Sequence, residues 1–180
     1  MSQLPARQPI AIMDFAIPAF GLWDQRWLLL TAGENRPGAF NAMTVSWGSL
    51  GYMWNKPLAV VVVRPQRYTY EFMERGTTFS LCVFPPQYRE ALNLLGTKSG
   101  RNSSKMADCG LTPIPLTQIP TPGFAQADLI IECRKTYFDD LEPTHFLADY
   151  IPAMYRNDFH RVYFGEVLAV SGTSDYRVAK

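Results

Sequence analysis

The sequence predicts a mainly β protein: one domain folded as a closed or nearly closed antiparallel barrel, with a few helices at its margins. Three observations carry that expectation. Strand-like segments outnumber helical ones over the 180 residues. Most of them follow one another without a long intervening helix, which parallel pairing would need. The two clearest segments are also strand-like in different ways. Residues 42–48 alternate bulky and small side chains, and residues 57–63 are almost wholly apolar and β-branched. With 47% apolar and 13% aromatic residues, the chain can bury the core of a single domain. That domain is assigned to 1–180, with its core at about 27–170.

Along the chain, a strand is predicted over 27–32, ending in a 33–38 turn that contains Asn35 and Pro37. Residues 41–50 form the alternating strand. Met43, Val45 and Trp47 share one bulky face suited to a core, while Ala42, Thr44, Ser46 and Gly48 share the other. The second face is small and hydroxylated, so a planar ligand could approach its backbone and find hydrogen-bond donors. Residues 57–63 read as a strand buried on both faces. A short helix follows over 68–75, closed by Gly76, and then a strand over 77–84, stopped by Pro85 and Pro86. The spacing of Ala91, Leu92, Leu94 and Leu95 predicts a helix over 87–95, ended by Gly96. Residues 97–104 are polar and flexible, with Lys98 and Arg101 cationic, and a short helix over 104–109 ends at Gly110. The four prolines of 111–124 predict an extended surface loop. Long strands are expected over 127–138 and 160–171. Between them, 139–158 is irregular, with Pro143, Pro152 and several aromatics.

Composition excludes several classes of function. A net charge of +1 without a cationic block argues against a nucleic-acid surface. The apolar run at 58–63 is too short to span a bilayer. Residues 1–8 lack the charged-then-apolar order of a secretory signal. Cys82, Cys109 and Cys133 are odd in number and widely spaced, which argues against a disulfide framework and for a reducing cytoplasm. Together with His145 and His160 they give no zinc-like spacing, so no metal is expected. Neither Gly-x-Gly-x-x-Gly after a strand nor a P-loop is present.

The residues that remain point to an anion. Arg64 and Arg67 are three positions apart, with Tyr68 and Thr69 beside the second, and guanidinium and hydroxyl groups are the usual means of holding a phosphate. In 98–101, Gly100 is flanked by Lys98, Ser99 and Arg101, and such a turn wraps an anion with backbone N–H groups and cations. With the small-residue strand, these segments suggest a flat, phosphorylated cofactor. A strand packed under a helix, beside solvated arginines, stays open as the alternative. For Glu166, an ion pair with an arginine across the barrel is favoured over catalysis.

Four ordered motifs then carry a family resemblance: Asn41-x-Met43-Thr44-x-Ser46-Trp47, Arg64-Pro65-x-Arg67-Tyr68-Thr69, Gly96-Thr97-x-Ser99-Gly100-Arg101 and His160-Arg161-x-Tyr163-x-Gly165-Glu166-Val167. The chain resembles the flavin reductase-like family, in particular the branch similar to flavoredoxin and archaeal ferric reductase. The resemblance implies an FMN-binding split β-barrel, antiparallel and Greek-key, with a few peripheral helices. It implies a homodimer with the flavin near the subunit interface, to which Trp54, Tyr150 and Tyr155 would contribute. Asn41, Ala42, Met43, Thr44, Val45, Ser46 and Trp47 would line the ring and ribityl chain. Arg64, Arg67, Tyr68, Thr69, Ser99, Gly100 and Arg101 would surround the phosphate. His160 is the candidate catalytic residue, donating to the flavin edge or a nicotinamide; the alternative is a hydrogen-bonded histidine at a strand end. The implied activity is NAD(P)H-dependent reduction of FMN, with electrons passed to a small molecule, ferric iron or a protein; the rival is a flavoredoxin-like carrier without a nicotinamide site. Asn102 stands where related chains often carry an acid, and Leu95 where many carry a cysteine, so no thiol acts at that position.

Overall fold

The computed structural model describes residues 4–179. The reading of the N-terminal segment as lacking a secretory signal rests in part on Met1, Ser2 and Gln3, which lie outside the described residues. In chain order the elements are β1 (Gln8–Ile10), β2 (Leu28–Gly33), β3 (Phe40–Val45), β4 (Gly48–Met53), β5 (Lys56–Val63), α1 (Tyr68–Arg75) and β6 (Thr78–Val83). Then follow α2 (Arg89–Thr97), α3 (Lys105–Asp108), β7 (Pro113–Ile114), β8 (Gly123–Phe124), β9 (Leu129–Asp140) and β10 (Arg161–Gly172).

The main sheet runs β3-β2-β6-β9-β10-β5-β4, with β1 added on β10, and every ladder is antiparallel. Its two terminal strands, β3 and β4, are consecutive in the chain, and only Ser46 and Trp47 join them. A flat sheet seven strands across cannot be bridged by two residues, so the sheet curls until its edges meet at that link. Among the described residues no ladder pairs β3 with β4, and the barrel is split at this seam. The mainly β, split-barrel expectation agrees with this architecture.

The seam corrects one sequence reading. The strand expected over 41–50 is two strands, because pairing passes from β2 to β5: Val45 faces Leu28, whereas Gly48 faces Val61. The unbroken alternation of the letters hides the break: Val45 and Gly48 both lie on the barrel side although three residues apart, where one continuous strand would place them on opposite faces. Gly48 allows the passage. A Cβ there would stand 2.4 Å from the Val60 carbonyl oxygen and 2.5 Å from the ring of Trp23, which a π-helical turn (Leu22–Arg26) presses against the link. Gly48→Ala is therefore expected to lower stability by about 1–3 kcal/mol. A thermal melt several degrees lower checks this; an unchanged melt would mean the link has slack.

Two apolar layers follow from strand periodicity. Leu28, Leu30, Met43, Val45, Val61 and Leu81 point into the barrel, and Leu29, Ala42, Cys82 and Ile130 point outward beneath Leu92 and Leu95 of α2. Helix α2 does not end at Gly96 as expected but runs through it to Thr97, because the helix rests on β3 there: a Cβ on Gly96 would lie 3.2 Å from that of Thr44. The 111–124 segment is less superficial than its prolines suggested. It forms the β7–β8 hairpin and buries Leu111, Ile119 and Phe124. On β5, Ala59, Val61 and Val63 are fully buried while Val60 and Val62 are only half-buried, so the expected burial on both faces is incomplete. The three cysteines are free and buried, and burial pushes the Cys82 thiol up to about 12. No helix among the described residues is long and apolar enough to cross a membrane.

Candidate functional site

A cleft of about 270 Å³ opens at the seam, lined by Met43, Thr44, Val45, Ser46, Trp47, Val62, Arg64, Gln66, Arg67 and His160. A second lobe of about 170 Å³ shares Met43, Gln66 and Arg67 with it and adds Tyr68, Thr69, Thr97, Lys98, Ser99 and Lys105. Strand β3, the β5–α1 turn and the loop after α2 thus contribute to one groove.

The second lobe is built for negative charge. It lies at the start of α1, whose first turn has no side-chain cap, because the N-cap residue is Arg67, itself a donor. The N–H groups of such a turn lack helical partners and carry the positive end of the helix dipole. The half-buried Arg67 guanidinium donates to the Gly96 carbonyl, and the buried Lys105 ammonium donates to the Leu95 carbonyl at 3.1 Å. Neither cation meets a carboxylate among the described residues. Burial, reinforced by Arg67, lowers the Lys105 pKa to about 8; burial and then Arg64 lower that of Arg67. Buried cations without a counter-charge are costly, and an anion bound between them relieves that cost.

The other residues expected around a phosphate divide into three groups. Thr69 and Ser99 line the lobe, but Thr69 is buried and accepts a 2.7 Å hydrogen bond from Asn41, so that pair ties β3 to α1. Gly100 lines neither lobe; it lets the loop pack against β3, since a Cβ there would come within 2.5 Å of Asn41 Oδ1. Arg101 stands apart. Its guanidinium donates to Glu71 at 2.7 and 3.0 Å and to the Gln66 carbonyl at 2.9 Å, and it lies 5.2 Å from the Tyr68 ring centre in a cation–π contact. Its charge is matched within the protein.

In the first lobe, the small hydroxylated face of β3 meets α2. Ala42 is fully buried beneath that helix, and Thr44 Oγ1 donates to the Leu92 carbonyl at 2.5 Å. Trp47, expected on the core face with Met43 and Val45, is 41% exposed instead, because the strand has ended before it. Its ring tilts against that of His160, 5.2 Å between centroids. His160 is buried, and its Nδ1 lies 2.9 Å from the Tyr155 hydroxyl. Burial, then the nearby Arg64 charge, lowers its pKa to about 4 against a raising contribution from Asp158, so the ring is neutral at pH 7. Arg64 donates to the Met154 carbonyl at 3.3 Å and lies 5.1 Å from the Tyr155 ring centre. Glu166, expected to pair with an arginine across the barrel, pairs with Arg134 at 2.6 Å and with Lys56 at 3.3 Å.

Val62, Gln66 and Lys105 escaped the sequence reading. Val62 looked like a core residue of an apolar strand. Lys105 gave no signal at all, since a lysine in a four-residue helix reads as solvated. Among the described residues, no cluster suited to a metal ion occurs.

A family model described as flavin reductase like domain matches residues 24–177. An uncharacterized protein of Pyrococcus abyssi (strain GE5 / Orsay) is 25% identical over 113 residues, which are 63% of this chain and 63% of that protein. The chain thus spans less than two thirds of this curated relative. Among solved structures, the FMN-binding domain of a flavin reductases-like enzyme from Shewanella baltica OS155 has a TM-score of 0.68 at 17% identity, covering 96% of this chain and 80% of that one. Flavoredoxin from Methanosarcina acetivorans has a TM-score of 0.63 at 23% identity, covering 85% and 71%. At these identities the structural likeness is one of fold.

Proposed function

The chain belongs to the flavin reductase-like family, and on that premise we propose that it binds FMN in the seam cleft and works as an NAD(P)H-dependent oxidoreductase. The observation that carries this reading is the half-buried Arg67 and the buried Lys105, neither matched by a carboxylate among the described residues, beside the uncapped start of α1. A terminal phosphate monoester fits that donor set, and no dinucleotide fold stands beside it. Arg67, Lys105, Thr69, Ser99 and the first N–H groups of α1, ahead of Tyr70 whose N–H already donates to the Arg67 carbonyl, would hold the phosphate. Residues Met43 to Trp47 would flank the ring with their backbone.

When bound, FMN supplies the hydride-accepting chemistry of its ring. The protein binds, orients and shields. Arg64, which has no carboxylate partner among the described residues, keeps the cleft positive. Trp47 and His160 border its open side, where a nicotinamide would lie. No side chain of the cleft need act as nucleophile or base, and none is set up as a triad.

Self-association belongs to the same reading. Strand β4 ends the sheet, and the β4–β5 hairpin exposes Tyr52, Met53 and Trp54, with Trp54 against the exposed Tyr137 of β9. An exposed apolar edge invites pairing. A second copy of this chain covering it would also approach Trp47, at the mouth of the cleft.

Flavin released from the denatured, flavin-loaded protein is expected to chromatograph as FMN; stoichiometric FAD, or no flavin affinity, would sink the assignment. Anaerobic NADH or NADPH is expected to bleach the bound flavin near ~450 nm. Reduction by dithionite but by neither nucleotide would make the protein an electron carrier.

A further inference from the structure

We propose that Tyr155 is a positioning residue: it holds His160 in the tautomer whose proton is on Nε2, so that the ring donates a hydrogen bond into the cleft, to a carbonyl oxygen of the nicotinamide donor. The tautomer follows from the protein alone; the identity of the acceptor rests on the function proposed above.

A neutral imidazole has one N–H and one bare nitrogen, and the hydrogen bond made by one nitrogen decides which is which. Here Nδ1 is 2.9 Å from the Tyr155 hydroxyl. Two pairings satisfy that distance, and they leave opposite groups facing the cleft. The surroundings choose between them. The Arg64 guanidinium lies over the Tyr155 ring, 5.1 Å from its centre, and a cation there draws charge from the phenol. Burial raises the hydroxyl's pKa and Arg64 opposes that, while a bare imidazole nitrogen is a much stronger base than a phenol oxygen, so the hydroxyl proton points to Nδ1. Nε2 then carries the ring proton. It meets no acceptor among the described residues, yet it is not one of the buried polar atoms sealed away without a partner. It opens to the cleft that His160 lines.

Charge supports the same picture. Arg64 and Arg67 disfavour a protonated ring and only Asp158 favours one, which with burial places the His160 pKa at about 4. At pH 7 the donor is therefore the N–H of a neutral ring, and it persists unchanged over the range in which histidines ordinarily titrate.

Tyr155 is placed firmly enough for this task, although its segment has no long regular element. Its ring stacks on Phe146 at 6.0 Å and 18° and packs on Phe159 at 4.8 Å. Arg64 holds the neighbouring Met154 carbonyl, and Gln66 donates to Asp158 at 2.5 Å. These contacts pin the segment to the β5–α1 turn from both sides of Tyr155.

The chain has two histidines, so ring-15N labelling gives two sets of imidazole signals, which a His145→Gln variant assigns. Flavin-free protein at pH 7 is expected to show His160 with Nε2 protonated and Nδ1 bare. Tyr155→Phe keeps the ring stack and removes only the hydroxyl; it is expected to give a mixture of tautomers. The flavin-loaded variant should show a KM for NAD(P)H raised roughly two- to tenfold, the worth of one hydrogen bond, with little change in kcat. A proton on Nδ1 in the parent, or an unchanged tautomer in the variant, overturns the positioning role whether or not flavin binds. A shifted tautomer with unchanged KM overturns the nicotinamide contact. A protein that shows the expected tautomers and binds no flavin leaves Tyr155 its role and removes the cofactor reading.

Discussion

Replacing Arg67 with alanine is expected to weaken FMN binding roughly tenfold to more than a hundredfold and to leave riboflavin binding nearly unchanged. The two ligands differ only in the phosphate, so their comparison separates loss of a charge-assisted contact from general damage to the cleft. Damage has to be considered, since the Arg67 guanidinium also donates to the Gly96 carbonyl at the end of α2. Arg67→Lys keeps a charge and is expected to recover part of the FMN affinity. Arg101→Ala should cost less, because Glu71 already neutralises that arginine. Equal losses for FMN and riboflavin in Arg67→Ala would make it a structural residue and end the phosphate assignment. Lys105 adds a pH signature. With a pKa of about 8, it loses its charge in the free protein as pH rises through that value. FMN affinity is expected to fall between pH 7 and 9.5, whereas riboflavin affinity stays level.

Trp54→Gly is expected to convert a dimer into a monomer without lowering the stability of the monomer. Trp54 and Asn55 form the β4–β5 turn with φ of 55° and 58°. Both values lie in the left-handed region, where a bulky side chain is strained and glycine is not. An exposed tryptophan in that place is unfavourable to the isolated chain. Its ring leans on Tyr137 and Phe164 at 6.3 and 6.0 Å, which leaves more than half of it in water. Buried aromatic anchors of this kind contribute 2 kcal/mol or more to an interface, so dissociation should strengthen about thirtyfold or beyond. Light scattering across a concentration series reads the change, and a thermal melt reads the monomer. A variant that remains dimeric would move the interface elsewhere.

The sequence made the strands of the barrel legible because their pleat alternates and their ends carry proline and glycine. It did not make the partners legible. Residues 41–50 look like one strand because the alternation of the letters is unbroken, and only the change of partner from β2 to β5, with Val45 and Gly48 on the same side of the sheet, shows the break. Arginines and hydroxyls near a glycine turn announced an anion. Which of them remain unmatched could not be read, since that depends on Glu71 reaching Arg101 from α1 and on Lys105 turning inward. Of the small face, Ala42 lies under α2, the alternative the sequence left open, while Thr44 both donates to that helix and lines the cleft. The Tyr155–His160 hydrogen bond was beyond reach, because an irregular segment has no period that fixes where its side chains point.

The seam has a thermodynamic consequence for whatever occupies it. Strands β3 and β5 share no ladder, yet both border the cleft, through Met43 to Val45 on one side and Val62 on the other. A ligand lying there is a cross-brace between the two ends of the sheet. Opening the barrel at the seam must first expel it, so binding energy is added directly to a closure that no ladder holds. At a hundred times its dissociation constant, a ligand that binds only the closed form contributes about 2.7 kcal/mol. The cofactor would then be part of the architecture, and the empty chain the looser of two states.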